Sequence, residues 1–153
     1  MRLNRDWIES HIPHSGRMCL LDEVLDWESD RIRCASGGHR AADHPLRAHG
    51  RLGIACGIEI AAQTMAVHGA LSAGDLGTRP RAGLLAGVRG VRLYAARLDV
   101  AQTDLICEAT RVAGDEGTAL YEFELSSAGA TLMRGRATVV LDASEPHVRG
   151  WPT

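Results

Sequence analysis

Two side chains one helical turn apart stand out in the stretch GIEIAAQTMAVHGAL (57–71). They are Glu59 and Gln63, set among small and apolar residues, with His68 further on. A carboxyl group on an apolar helix can act as a general acid if burial raises its pKa enough to hold a proton. An imidazole, with an ordinary pKa of about 6.5, suits the complementary base. His44 and His49 precede Glu59 by 15 and 10 residues. At about 100° per residue, Glu59, Gln63, Ala66 and Ala70 share one helix face, and His68 lies opposite Glu59. His68 is therefore expected to be a satisfied core or interface histidine. Gln63 can orient the Glu59 carboxyl or bond a neighbouring backbone group. The plainer alternative for Glu59 is a buried ion pair with an arginine such as Arg89 or Arg92.

These residues need a scaffold. Asn4 suits a helix N-cap for NRDWIESH, and Pro13 ends that helix. CLLDEVLDW and RIRCASG read as two strands joined at ESD, with Ile32, Cys34 and Ser36 on one face and Arg31, Arg33 and Ala35 on the other. Asp22 fits a buried polar anchor for nearby N–H groups. Residues 37–53 have no period and read as a long irregular loop, usual for functional or mobile segments. A long apolar helix follows, from about Ile54 to Leu71. Gly74, Gly77 and Pro80 then break the chain. The rest alternates as strands, with Val88, Gly90 and Arg92 against Arg89, Val91 and Leu93. Turns fall at 115–117 and 127–129. Late strands with no helices between them predict an antiparallel sheet and the α+β class. A helix apolar nearly all round must be widely covered, which predicts one curved sheet wrapped about it in a single domain, with its core at about 5–142.

Composition narrows the functions. A hydrophobic fraction of 45% is that of a globular chain, and a net charge of −2 offers no bulk attraction to nucleic acid. No apolar run is expected to reach the roughly 20 residues of a membrane span, and the N-terminus lacks a signal-peptide core, so a cytoplasmic location is expected. Cys19, Cys34, Cys56 and Cys107 are scattered, without CxxC spacing, and the seven histidines show no HExxH or HxH pattern. Buried thiols rather than a metal framework are expected.

Two stretches resemble the β-hydroxyacyl-acyl-carrier-protein dehydratases. IPHSGRMCLLDEVLDW (12–27) is similar to that family's Pro-His-Arg and hydrophobic strand with an embedded Asp, matched here by Pro13, His14 and Asp22. GIEIAAQTMAVHG (57–69) is similar to its helix with Glu and Ala-Gln, matched by Glu59, Ala62 and Gln63. The branch most resembled is the ApeP-like one, associated with aryl polyene pathways. The well-known dehydratases carry a catalytic His in a His-Phe-Pro-Gly segment, where this chain has DHPLRAHGRLG (43–53).

The resemblance implies a hotdog fold and removal of water from a 3-hydroxyacyl thioester, giving a trans-2-enoyl thioester. The carrier would be an acyl carrier protein or coenzyme A, and no cofactor would be needed. Glu59 would be the acid and His44 or His49 the base. Gln63, Gly53 and Gly57 would meet the substrate, the glycines through backbone N–H groups at the helix start. His14 is expected to be structural. Aliphatic residues such as Leu84, Leu85 and Met65 would shape the tunnel. Arg79, Arg81, Arg89, Arg92 and Arg97 would either meet an acidic carrier or form solvated strand faces. A homodimer is implied, or a hetero-oligomer with another hotdog dehydratase. The alternatives are a non-catalytic hotdog subunit and an acyl thioesterase.

Overall fold

A computed structural model describes residues 3–73 and 83–140. The chain runs β1 (Leu3–Asn4), α1 (Arg5–His11), β2 (Glu23–Trp27), β3 (Arg31–Ser36), α2 (Gly57–Ser72), β4 (Leu84–Leu93), β5 (Leu105–Gly114), β6 (Thr118–Ser127) and β7 (Ala130–Val140). The seven strands form one antiparallel sheet in the order β1-β2-β3-β5-β6-β7-β4. This is the expected α+β hotdog arrangement, with α2 packed on β3, β5 and β6. The segment 74–82, including Arg79 and Arg81, and the tail from 141 lie outside the described residues.

Local chemistry sets the boundaries. The Asn4 side chain caps α1 by accepting the Trp7 N–H at 3.1 Å. The β5–β6 turn is held by Asp115 Oδ1, which accepts the N–H groups of Gly117 and Thr118. The β6–β7 turn places Ala128 and Gly129 in the left-handed region, at φ 51° and 77°. The two-residue β1 escaped the sequence pattern because it is too short to alternate.

The alternation expected in β4 fails. The strand bulges between Arg89 and Arg92, with Gly90 at φ 60°. The extra residue puts Arg89 opposite Arg136 and Arg92 opposite Arg134, so both arginines reach the same face. The expected absence of a membrane-length apolar run also fails. Ile54–Ser72 forms 19 helical residues that meet the length and composition of a span. Half of this segment is buried against the sheet. Gly57 shows why small residues suit it: an added Cβ would lie 2.8 Å from Leu125 Cδ2 and 3.3 Å from Met133 Cε.

His68 is the core histidine expected. It is fully buried, its Nε2 pairs with the Glu28 carbonyl at 3.0 Å and its Nδ1 with the Tyr121 hydroxyl at 2.7 Å. A neutral ring satisfies both, with Nε2–H donating and Nδ1 accepting from the phenol. Burial is the main force lowering its pKa, aided by Arg111. The folded state thus favours the neutral ring, and the unfolded chain takes up the proton first as pH falls. This contribution to stability is full above the ordinary value of 6.5 and declines below it. Denaturant titrations at pH 7.5 and 5.5 are expected to show that loss, and Gln at position 68 should reduce it. Tyr121→Phe should cost about 1 kcal/mol at pH 7.5.

Candidate active site

The site is built where the chain leaving α1 crosses the start of α2. Ile12 is buried and extended, Pro13 stops the helix, and His14 follows. A single 3-10 turn at Gly16–Met18 then carries the chain to Cys19, Leu20 and Leu21, all buried. This crossing segment is gripped from both sides. The Ser36 hydroxyl donates to the Leu20 carbonyl at 2.6 Å, and the Asp22 N–H donates to the Ala35 carbonyl at 2.8 Å. From α2, the carboxamide of the fully buried Gln63 accepts the Leu20 N–H at 2.8 Å and donates to the Met18 carbonyl at 2.8 Å.

The same Gln63 Nε2 also donates to Glu59 Oε1 at 3.1 Å, one turn earlier on α2. His14 Nε2 meets that same oxygen at 3.0 Å. Oε1 therefore has two nitrogen neighbours, while Oε2 has no partner among the described residues. The side chains of His14 and Glu59 are 32% and 34% exposed, so solvent can reach both. His14 Nδ1 is buried without a hydrogen-bond partner among the described residues, consistent with the tautomer whose single N–H is on Nε2.

Several expectations change here. Glu59 is not buried, because it sits in the first turn of α2 beneath the His14 segment. It is not paired with Arg89 or Arg92 either, which lie on the opposite side of the sheet around another cavity. The imidazole beside Glu59 is His14, the histidine expected to be structural. Sequence did carry a signal for it, in the Pro13-His14 pair. The 45-residue separation from Glu59 hid the contact.

His44 and His49 are placed elsewhere. Both line a surface cavity of about 580 Å³ with Arg17, Asp43 and Arg47. His44 Nδ1 accepts the Leu46 N–H at 3.1 Å, and its pKa is lowered by burial and then by the neighbouring His39 and Arg47 charges. His49 occupies a tight turn at φ 53°, between the bridged residues Ala48 and Arg51. Neither histidine contacts the Glu59 carboxyl.

The helix start is less open than expected. The Leu52 N–H goes to Asp99 Oδ1, Ile54 to the Ala96 carbonyl, Cys56 to Gly53, and Gly57 to Ala55 and Ile54. Gly57 is buried against Leu125 and Met133, so its missing side chain serves packing rather than substrate approach. Gly53 pairs with Arg97 in an isolated bridge. Arg97 in turn holds the Asp99 carboxylate far below the usual range, through hydrogen bonds to both of its oxygens. Met65 belongs to the core, whereas Leu84 is 63% exposed on β4. Asp22 does anchor N–H groups, accepting from Gly37 and from Arg5 at 3.3 Å, but it is half-exposed rather than buried, because it lies just before β2.

A long helix wrapped by a seven-stranded antiparallel sheet defines a hotdog-fold protein. The chain belongs to the ApeP-like family, whose model, described as ApeP dehydratase, matches residues 7–147. A solved structure of the dehydratase heterocomplex ApeI:P from Xenorhabdus doucetiae matches with a TM-score of 0.78 at 24% identity, covering 88% of this chain and 90% of that one. A mutant thioesterase from Pseudomonas aeruginosa matches at 0.58 and 13% identity, covering 78% of this chain and 79% of that one. AziG from S. sahachiroi matches at 0.59 and 18% identity, covering 77% and 88%. No curated protein sequence matches this one.

Gln63→Leu should expose the importance of the crossing. It leaves the Leu20 N–H and Met18 carbonyl unpaired and is expected to cost about 2–4 kcal/mol in urea unfolding.

Proposed function

We propose that the chain is a 3-hydroxyacyl-thioester dehydratase with Glu59 as its central catalytic group. The observation that supports this reading is the asymmetry of the Glu59 carboxyl: Oε1 meets His14 and Gln63, Oε2 has no partner among the described residues, and the side chain is one-third exposed. Oε2 removes the proton α to the thioester carbonyl. The same carboxyl then delivers a proton to the 3-hydroxyl, which departs as water. One C–H and one C–O bond break, a C=C bond forms, and Glu59 returns to its starting state. His14 and Gln63 keep Oε1 in place as charge moves on and off the group. This replaces the expected histidine base at His44 or His49 with a carboxylate positioned by His14.

The carrier in this reading is an acyl carrier protein or coenzyme A, the products belong to fatty-acid-like or aryl polyene synthesis, and the location is cytoplasmic. No cofactor takes part. The reading includes an assembly. Among the described residues β4 is an edge strand with one side unpaired, and Leu84, Val88 and Leu93 are exposed along it. A second hotdog subunit covers that edge.

Glu59→Gln is expected to abolish formation of the 2-enoyl thioester while leaving the fold intact by circular dichroism. His14→Ala should lower kcat by about 10²-fold, with partial recovery in His14→Gln, which keeps a donor. His44→Ala and His49→Ala should stay within about threefold of the parent. Full activity in Glu59→Gln refutes the assignment. Release of free thiol without enoyl product identifies a thioesterase instead.

A further inference from the structure

The segment that brings His14 to Glu59 is fixed unevenly along its length. Its far half is gripped hard: Gln63 holds the Met18 carbonyl and the Leu20 N–H, and Ser36 holds the Leu20 carbonyl. The half that carries His14 is held lightly. Among the described residues, the backbone of 13–17 receives one hydrogen bond from another element. Arg5 Nη2 donates to the Gly16 carbonyl at 2.9 Å. That carbonyl also accepts the Cys19 N–H at 3.1 Å, which closes the turn. Gly16 lies in the left-handed region at φ 59°, two residues beyond His14. The His14 ring has no second anchor of its own, since Nδ1 is buried without a partner among the described residues.

Arg5 is well placed for this task. It is the first residue of α1, just after the Asn4 cap, so its backbone is fixed. Its guanidinium reaches three acceptors on three parts of the chain. Nε donates to Glu9 Oε1 at 3.2 Å, Nη1 to Asp22 Oδ1 at 3.3 Å, and Nη2 to Gly16. Asp22 is itself tied to the sheet, because its N–H donates to the Ala35 carbonyl at 2.8 Å and its Oδ2 accepts the Gly37 N–H. The planar fork of an arginine can hold diverging acceptors at once, whereas a lysine offers a single point charge.

Magnitudes separate a structural role from a positioning one. The Arg5 and Asp22 side chains are 40% and 45% exposed, and ion pairs so exposed add little to stability. Geometry at a reacting group is far less forgiving, since a misplacement of about 1 Å can cost about 10²-fold in rate. A contact that is weak for folding can therefore be strong for turnover.

We infer that Arg5 is a positioning residue: by holding the Gly16 carbonyl against the Asp22 anchor, it sets the His14 imidazole on Glu59 Oε1. This rests on the reading in which Glu59 is the catalytic group. Arg5 acts only through His14 and touches no substrate.

The test is a double-mutant cycle, with 3-hydroxyacyl-coenzyme A as substrate and enoyl formation as readout. Arg5→Gln is expected to lower kcat by about tenfold with KM within about twofold of the parent, and Arg5→Lys to recover part of the loss. In the His14→Ala background, Arg5→Gln should change kcat by less than about twofold, because the residue it acts through is gone. A second measurement needs no turnover. The His14 ring resonance, assigned by its absence in His14→Ala, should shift and broaden in Arg5→Gln. Urea unfolding of Arg5→Gln should stay close to the parent. A full tenfold loss that persists without His14 overturns the inference, as does a raised KM with kcat unchanged, which would make Arg5 a substrate contact. An unmoved His14 resonance overturns it whatever the activity. A shifted resonance in a protein that forms no enoyl product supports the positioning role and strikes only at the catalytic assignment of Glu59.

Discussion

The Gln63 carboxamide has no exposed surface and every one of its contacts matters to another element. Its oxygen holds the Leu20 N–H, and its nitrogen is shared between the Met18 carbonyl and Glu59. A buried amide left unpaired costs several times what it gains when paired, so the crossing segment cannot shift without penalty. That constraint fixes the path of residues 14–20 over α2. His14 meets Glu59 because of it.

Around this crossing, the fold separates two kinds of polar chemistry. On the inner side, His68, Gln63 and Thr64 spend their hydrogen bonds on internal partners: Tyr121, Glu28, Leu20, Met18 and Ile60. They allow an otherwise apolar helix to be enclosed by the sheet. Glu59 differs because it lies in the first turn of α2, where the enclosure ends. On the outer side, the charged rows of β2, β3, β5, β6, β7 and β4 face water, where isolated pairs contribute little to stability.

The sheet and helix were legible because their signals are local and periodic. Ile32, Cys34 and Ser36 alternate as a half-buried strand should, and all three are buried. Asn4, Pro13 and Asp115 mark ends and turns through short-range bonds. The β4 alternation misled because one bulge at Gly90 changes the face of every later residue, and a bulge has no firm sequence signature. The site was half legible. Glu59 and Gln63 share a helix face by geometry alone, and their contact follows. The histidine did not follow, because separation along the chain guided the choice toward His44 and His49, whereas contact depends on the route the chain takes.

What the sequence by itself determined is the family, the class of fold and the pairing of Glu59 with Gln63, since each rests on motifs or on spacing within one element. Tertiary structure alone decided that His14 completes the carboxyl's surroundings, that Gly57 is a packing residue and that Arg89 and Arg92 stand on one face of β4. Each of these depends on chain segments distant in sequence, brought together by the buried amide crossing and by the strand register, and no local pattern encodes either.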